Sequence, residues 1–357
     1  MNKKNNLNSG SMKALQIAGI GSPLQLRELP VPQPGYNEVL VRIKAAGICH
    51  SDVHYRCGVS KVGKIPITPG HEIAGVIEEV GTGVEKTGRL KPGQKVALHY
   101  LISCGSCYYC TTGNEQFCLS GKMIGKHCDG GYAEYITVPA RNAVPLPEGI
   151  SFMHGAVMMC STATSFHALR KGRLRPGEKV AVFGIGGLGI SAVQLAGALG
   201  AFEIYAVDIN QDKLKRAENY GAVPVDASSS NPVDEIMSHT KGRGVDVALE
   251  LAGLPVTMLQ AIQCLAVFGR AVFVGITDKE ISFMPYHELM AKEAEIIGAN
   301  DHLLSEIHLL FDIAGKGKID LSEVVTRTVS FDEDEVNNVM DELERFESTH
   351  IRTVITF

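Results

Sequence analysis

The stretch from Lys179 to Asp208 limits the possible folds more than any other part of these 357 residues. Lys179-Val-Ala-Val-Phe183 is an apolar run of the buried-strand type, and Gly184-Ile-Gly186-Gly187-Leu188-Gly189 is a glycine-rich turn. Ile190 to Gly200 then follows a helical pattern, and Ile204-Tyr-Ala-Val-Asp208 reads as a second strand. A lone G-x-G-x-x-G is weak evidence. Strand, turn, helix and strand in sequence, closed by an acid nineteen residues beyond Gly189, form a specific dinucleotide-binding fingerprint. The glycines let backbone approach a pyrophosphate, and the helix N-terminus supplies N–H donors and the positive end of its dipole. Asp208, with no arginine immediately after it, is placed to accept hydrogen bonds from adenosine ribose hydroxyls and to repel a 2′-phosphate. NAD is therefore expected rather than NADP. A helix-capping role for Asp208 would suit a strand end but leaves the glycines unexplained.

Further strand-like runs at Asp246–Glu250, Ala271–Val274 and Glu295–Gly298, with helical segments between them, complete a doubly wound parallel sheet of the Rossmann type. The text before it is different. From Lys13 onward, short β-rich runs such as Glu38–Ile43 and Ala74–Val80 alternate with turns at Pro34-Gly35 and Pro92-Gly93, which predicts a mainly β domain. Two more strand-like runs, Thr328–Phe331 and Thr353–Phe357, suggest that the chain returns to that domain near Asn300. The expected division is 12–160 with 301–357, and 161–300 for the dinucleotide domain. Asp332-Glu333-Asp334-Glu335 reads as a solvated helix start, where acids meet the positive dipole end. Residues 1–11, rich in Asn and Lys, are expected to be a disordered tail.

Composition narrows the function. A net charge of −5 with 20% charged residues gives no basic footprint for nucleic acid or an anionic membrane surface. No apolar run of about eighteen residues and no apolar leader is present, so a cytoplasmic protein acting on small molecules is expected. Of nine cysteines, four form C-x2-C-x2-C-x7-C: Cys104, Cys107, Cys110 and Cys118. Four thiolates close a tetrahedral shell with no position open for substrate, so a structural zinc is expected rather than disulfides.

A second cluster lies between Gly47 and Gly75. Cys49 and His71 are good donors for zinc, and a catalytic zinc typically has three protein ligands with a fourth position open. The neighbours Ser51, Asp52, His54 and Glu72 add groups that can accept or pass a proton. Asp52 is expected to orient His71, and Glu72 to act on the metal through its charge; both could instead be solvated charges. Cys160, within the apolar run Gly155–Thr164, is by its residue type either a third ligand or a small core side chain.

Gly70-His71-Glu72, followed by Gly75, Gly81, Gly83 and Val84, resembles the zinc signature of the medium-chain dehydrogenase/reductase superfamily, to which the zinc alcohol dehydrogenases belong. The resemblance runs from about Met12 to Phe357. It implies a GroES-like catalytic domain, with Cys160 as the third ligand of the catalytic zinc and a second, structural zinc on the four-cysteine lobe. It also implies that Ser51 and His54 relay the alcohol proton through the cofactor ribose. Further along, it places Thr164 beside the nicotinamide, Lys213 beside the adenosine ribose, Gly275 and Ile276 beside the carboxamide, and Arg352 at the pyrophosphate. His50 departs from the basic residue that many relatives carry there. The implied activity is NAD-linked interconversion of alcohols with aldehydes or ketones, in a homodimer or homotetramer. A polyol or amino-alcohol dehydrogenase of the sorbitol or threonine type is the alternative within the superfamily, and a catalytically silent zinc-and-nucleotide-binding protein is the alternative outside it.

Overall fold

The computed structural model describes residues 10–345 and 347–357. The expected tail therefore lies, for residues 1–9, outside the described residues. Its last residue, Ser11, is not tail: it opens the strand Ser11–Gln16, which pairs antiparallel with Gln25–Pro30 and buries Met12, Ala14 and Leu15. The chain folds into two compact units, 1–160 with 325–357, and 161–324.

The second unit holds a six-stranded, wholly parallel sheet. Its order is Val223–Asp226, Glu203–Asp208, Lys179–Phe183, Val245–Glu250, Leu265–Phe273, Glu295–Gly298. Parallel strands covered on both faces carry continuous apolar runs instead of alternation. Val180 to Phe183 and Val247 to Leu249 are accordingly buried without a break. The strand order reverses between Lys179–Phe183 and Val245–Glu250, and in such sheets a ligand crevice opens beyond the carboxyl ends of the strands at that switch. Gly184, the first residue of the glycine turn, and Glu250 both stand there.

The return to the first unit falls at Val325, later than the expected Asn300. The helix Leu304–Gly315 explains the difference. It buries Ile307, Leu310 and Phe311, and its Glu306 carboxylate meets His167 Nδ1 at 2.9 Å on the helix Ala163–Lys171. Those interactions hold it in the second unit.

In the first unit, a sheet runs Arg327–Ser330, Thr353–Thr356, Glu38–Ile48, Glu72–Val80, Lys95–Leu98, Ala143–Pro145, and Tyr135–Pro139 also pairs with Glu38–Ile48. The expected strand Glu38–Ile43 thus continues to Ile48. Register then places the chemistry. Gly47 faces Glu72 on one side and Ile48 faces Thr353 on the other, so three chain ends emerge side by side at one end of the sheet. Those ends carry Cys49, His71 and Arg352.

Candidate functional site

Cys49 caps the N-terminus of the short helix His50–Arg56, and Asp52 Oδ2 accepts its backbone N–H at 2.9 Å. The same carboxylate, fully buried, accepts from Tyr132 Oη at 3.1 Å and from Gly70 N at 3.2 Å. Asp52 thereby ties the Cys49 and His71 segments together, which excludes its reading as a solvated charge. Its Oδ1 lies 3.3 Å from His71 Nδ1, close enough for charge attraction although short of hydrogen-bond geometry. Burial works against a protonated His71, but Asp52 and the Cys49 sulfur outweigh it and hold the ring well above its ordinary pKa.

Cys160 arrives from a different element. The helix Phe152–Val157 passes into a π-helical turn, Met158–Thr162, before the helix Ala163–Lys171 begins. Such π turns are rare and occur frequently at functional sites. Donor atoms of Cys49, His71, Glu72 and Cys160 all lie within 4.8 Å of one another, and all four residues are buried. The Cys160 thiol donates toward Cys49, which holds the Cys49 thiol well below its ordinary pKa and raises that of Cys160. Two sulfurs and an imidazole competing for protons in a buried pocket are the donor set that suits zinc, so these residues fit the ion.

Glu72 is also fully buried rather than solvated, and burial pushes its pKa up to about 7 while Arg352 pulls the other way. Arg352 Nη2 stands 3.1 Å from Glu72 Oε1, and Nη1 donates to the Ile48 carbonyl at 3.3 Å. The arginine expected at a pyrophosphate is therefore, in this structure, the charge partner of Glu72. Ser51 Oγ is 3.7 Å from Cys49 Sγ, and His54 lies three residues further along the same helix. The His54 ring meets His50 edge-on at 5.2 Å.

The four-cysteine lobe fits zinc by a simple measure. With Zn–S about 2.3 Å, sulfurs at the corners of a tetrahedron are about 3.8 Å apart. Cys104 and Cys110 are 3.9 Å apart, Cys107 and Cys110 3.5 Å, Cys107 and Cys118 3.9 Å. Backbone N–H groups of Ser106 and Cys107 point at Cys104 Sγ, at 3.5 and 3.3 Å, and lower its pKa to about 5. Such donors stabilise thiolates.

In the second unit, Gly184 adopts φ +92°, which favours glycine, and its N–H donates to Val207 O. A Cβ on Gly189 would lie 2.1 Å from the Gly184 carbonyl, whereas one on Gly186 would meet nothing within 4 Å. The start of the helix is thus packed against the backbone of the turn, and the space beside Gly186 is open. Gly186 caps the helix Gly187–Ala198, which begins three residues before the expected Ile190 and takes in Leu188. Asp208 accepts from Ile185 N at 2.7 Å and Asn210 N at 2.9 Å, two of the roughly four lone-pair positions of a carboxylate. Lys213 lies in the first turn of the helix Gln211–Glu218, Thr164 is buried near the start of Ala163–Lys171, and Ile276 is 79% exposed. These residues fit a dinucleotide.

Tyr132 goes unrecognised in the sequence. It is fully buried and braces Asp52, and only the unusual Gly130-Gly131-Tyr132 run hints at it. Tyr100, 5.1 Å edge-on to His71, is a second such residue.

The chain thus pairs a parallel sheet of the dinucleotide-binding type with two clusters of side chains that could each hold a metal ion. Residues 35–148 match the family model described as the alcohol dehydrogenase GroES-like domain, and residues 187–302 match zinc-binding dehydrogenase. An NAD-dependent alcohol dehydrogenase of Sulfurisphaera tokodaii is 37% identical over 349 residues, 94% of this chain and 98% of that protein. Among solved structures, the alcohol dehydrogenase of Aeropyrum pernix superposes with a TM-score of 0.85 at 33% identity, covering 97% of this chain and 100% of that one. The 2R,3R-butanediol dehydrogenase of Bacillus subtilis gives 0.87 at 28% identity, covering 97% and 100%. The chain belongs to the zinc-type alcohol dehydrogenases of the medium-chain dehydrogenase/reductase superfamily.

Proposed function

We propose that this protein catalyses reversible, NAD-linked oxidation of an alcohol to an aldehyde or ketone, with Cys49, His71 and Cys160 holding one zinc and Cys104, Cys107, Cys110 and Cys118 a second. The observation that carries this reading is the convergence of donor atoms of the buried residues Cys49, His71 and Cys160 within 4.8 Å, with the Ser51 hydroxyl 3.7 Å from Cys49 Sγ. Zinc bound there would act as a Lewis acid that lowers the pKa of an alcohol hydroxyl, and bound NAD would accept the hydride.

The chain's own residues do the rest. Ser51 takes the hydroxyl proton, and His54, on the same face of the same short helix, delivers it to solvent. Asp52 holds the Cys49 backbone and faces His71, which keeps the imidazole oriented with its other nitrogen toward the thiolates. Arg352 holds Glu72 in place and opposes part of the effect of burial on its charge. Gly184 to Gly189 hold the pyrophosphate, and Asp208 the adenosine ribose. Its carboxylate excludes a 2′-phosphate, which supports NAD over NADP. A homodimer or homotetramer fits the reading, and light scattering of the purified protein tests it.

The deciding experiment follows absorbance at 340 nm across primary, secondary and polyhydroxy alcohols with each cofactor. NADH formation from simple alcohols is expected. Strict preference for polyhydroxy or amino-alcohol substrates would favour the alternative within the superfamily. No turnover by protein that holds zinc and binds NAD would contradict the proposal.

A further inference from the structure

Glu250 ends the strand Val245–Glu250 at the switch point of the parallel sheet, and it is fully buried. Its Oε1 accepts three hydrogen bonds, from Ala252 N at 3.0 Å, Gly253 N at 2.8 Å and Thr257 Oγ1 at 2.7 Å. Its backbone carbonyl accepts two more, from Val274 N at 3.0 Å and Gly275 N at 3.1 Å. One residue thus fastens the loop that follows its own strand and the loop that follows the neighbouring strand Leu265–Phe273.

The two loops interlock tightly. A Cβ on Gly275 would fall 2.1 Å from Gly253 N and 2.7 Å from Glu250 Oε2, and one on Gly253 would fall 2.6 Å from Ile276 O. Gly184, the first residue of the phosphate turn, leans on the same assembly: its Cβ would meet Ala252 N at 3.1 Å. Leu251 N donates to Phe183 O at 2.9 Å. Oε2 is buried without a hydrogen-bond partner. A buried carboxylate oxygen left so is costly, and a group retained at that cost fixes the backbone around it.

We propose that Glu250 is a positioning residue for the nicotinamide half of the cofactor: by fixing Gly253 it sets Gly275 and Ile276, the two residues expected beside the carboxamide. The inference rests on the dinucleotide reading above and adds to it a residue that does not touch the cofactor. The acceptor Oε1 carries the role. Glu250→Gln keeps an acceptor oxygen of the same reach, and Glu250→Ala removes it.

The test is equilibrium binding, read by the fluorescence of NADH and, for the adenosine half alone, by calorimetry with AMP. Native protein is expected to bind both. In Glu250→Ala, the dissociation constant for NADH is expected to rise about tenfold, as for loss of an acceptor serving several donors, while that for AMP stays within about twofold. Glu250→Gln should recover most of the NADH affinity. Thr257→Val, which removes one donor and leaves the carboxylate, should weaken NADH by about threefold and spare AMP; it serves if the alanine variant does not fold. Native NADH affinity in both Glu250→Ala and Thr257→Val overturns the proposal, as does an equal loss of AMP and NADH. Failure of native protein to bind either ligand would instead overturn the dinucleotide reading itself.

Discussion

Cys160 illustrates what a single residue can disclose. Its sequence surroundings are apolar, and from them a small core thiol is as reasonable as a ligand. Its place beside Cys49 comes from a π-helical turn that no periodicity announces. Asp52 and Glu72 are equally open in sequence between solvated charge and function, and their complete burial excludes the solvated charge. Tyr132 is invisible there because it lies sixty-one residues beyond His71 and reaches Asp52 only through folding. Two expectations belong at this scale. Ser51→Ala removes a hydroxyl and no ligand, so zinc content should stay constant while turnover falls on the order of 10²-fold where chemistry limits the rate. Unchanged turnover in a single-turnover experiment would remove Ser51 from the proton path. Asp208→Gly deletes both the ribose acceptor and the charge that repels a 2′-phosphate, so the ratio of kcat/KM for NAD over NADP should narrow by about tenfold or more. A ratio that does not move would assign the preference elsewhere.

Among elements, the glycine turn is legible because its steric demands leave little choice of residue. The strand Lys179–Phe183 stands where the sequence puts it, and the helix beyond starts early, because Gly187 to Gly189 serve as both turn and first helical residues. Val223–Asp226 does not read as a strand, since Pro224 interrupts it; as the edge of the sheet it can spare a backbone donor. The acidic run at Asp332 reads correctly as a helix start, with Asp332 Oδ1 accepting from Asp334 N and Glu335 N. Gly189→Ala tests the turn as a unit. Its new methyl would lie 2.1 Å from the Gly184 carbonyl. Backbone cannot step aside as a flexible side chain does, so a loss of about 1–3 kcal/mol in stability and a marked loss of NADH binding are expected together. Native binding at native stability would mean that the helix does not pack against the turn as described.

At the scale of the whole molecule, a mainly β unit and a parallel α/β unit are separable in sequence because the two obey different hydrophobic periods. The point of return is not, because the helix Leu304–Gly315 reads as part of the first unit; the interactions that decide, such as Glu306 with His167, join residues far apart in sequence. If the proposed ligand sets hold, the two cysteine sets should fail in different ways, because four thiolates close a shell whereas three protein ligands leave a position for substrate. The most direct test is zinc per chain by mass spectrometry, measured beside alcohol-dependent NADH formation and thermal midpoint for native protein, Cys49→Ala and Cys107→Ala. Native protein should hold two zinc ions. Cys49→Ala should lose one zinc and nearly all activity with little change in midpoint, whereas Cys107→Ala should lose the other zinc and about 5 °C or more of midpoint. A fully active native protein with a single zinc, or a Cys107→Ala variant that keeps its stability and loses only chemistry, would contradict the account.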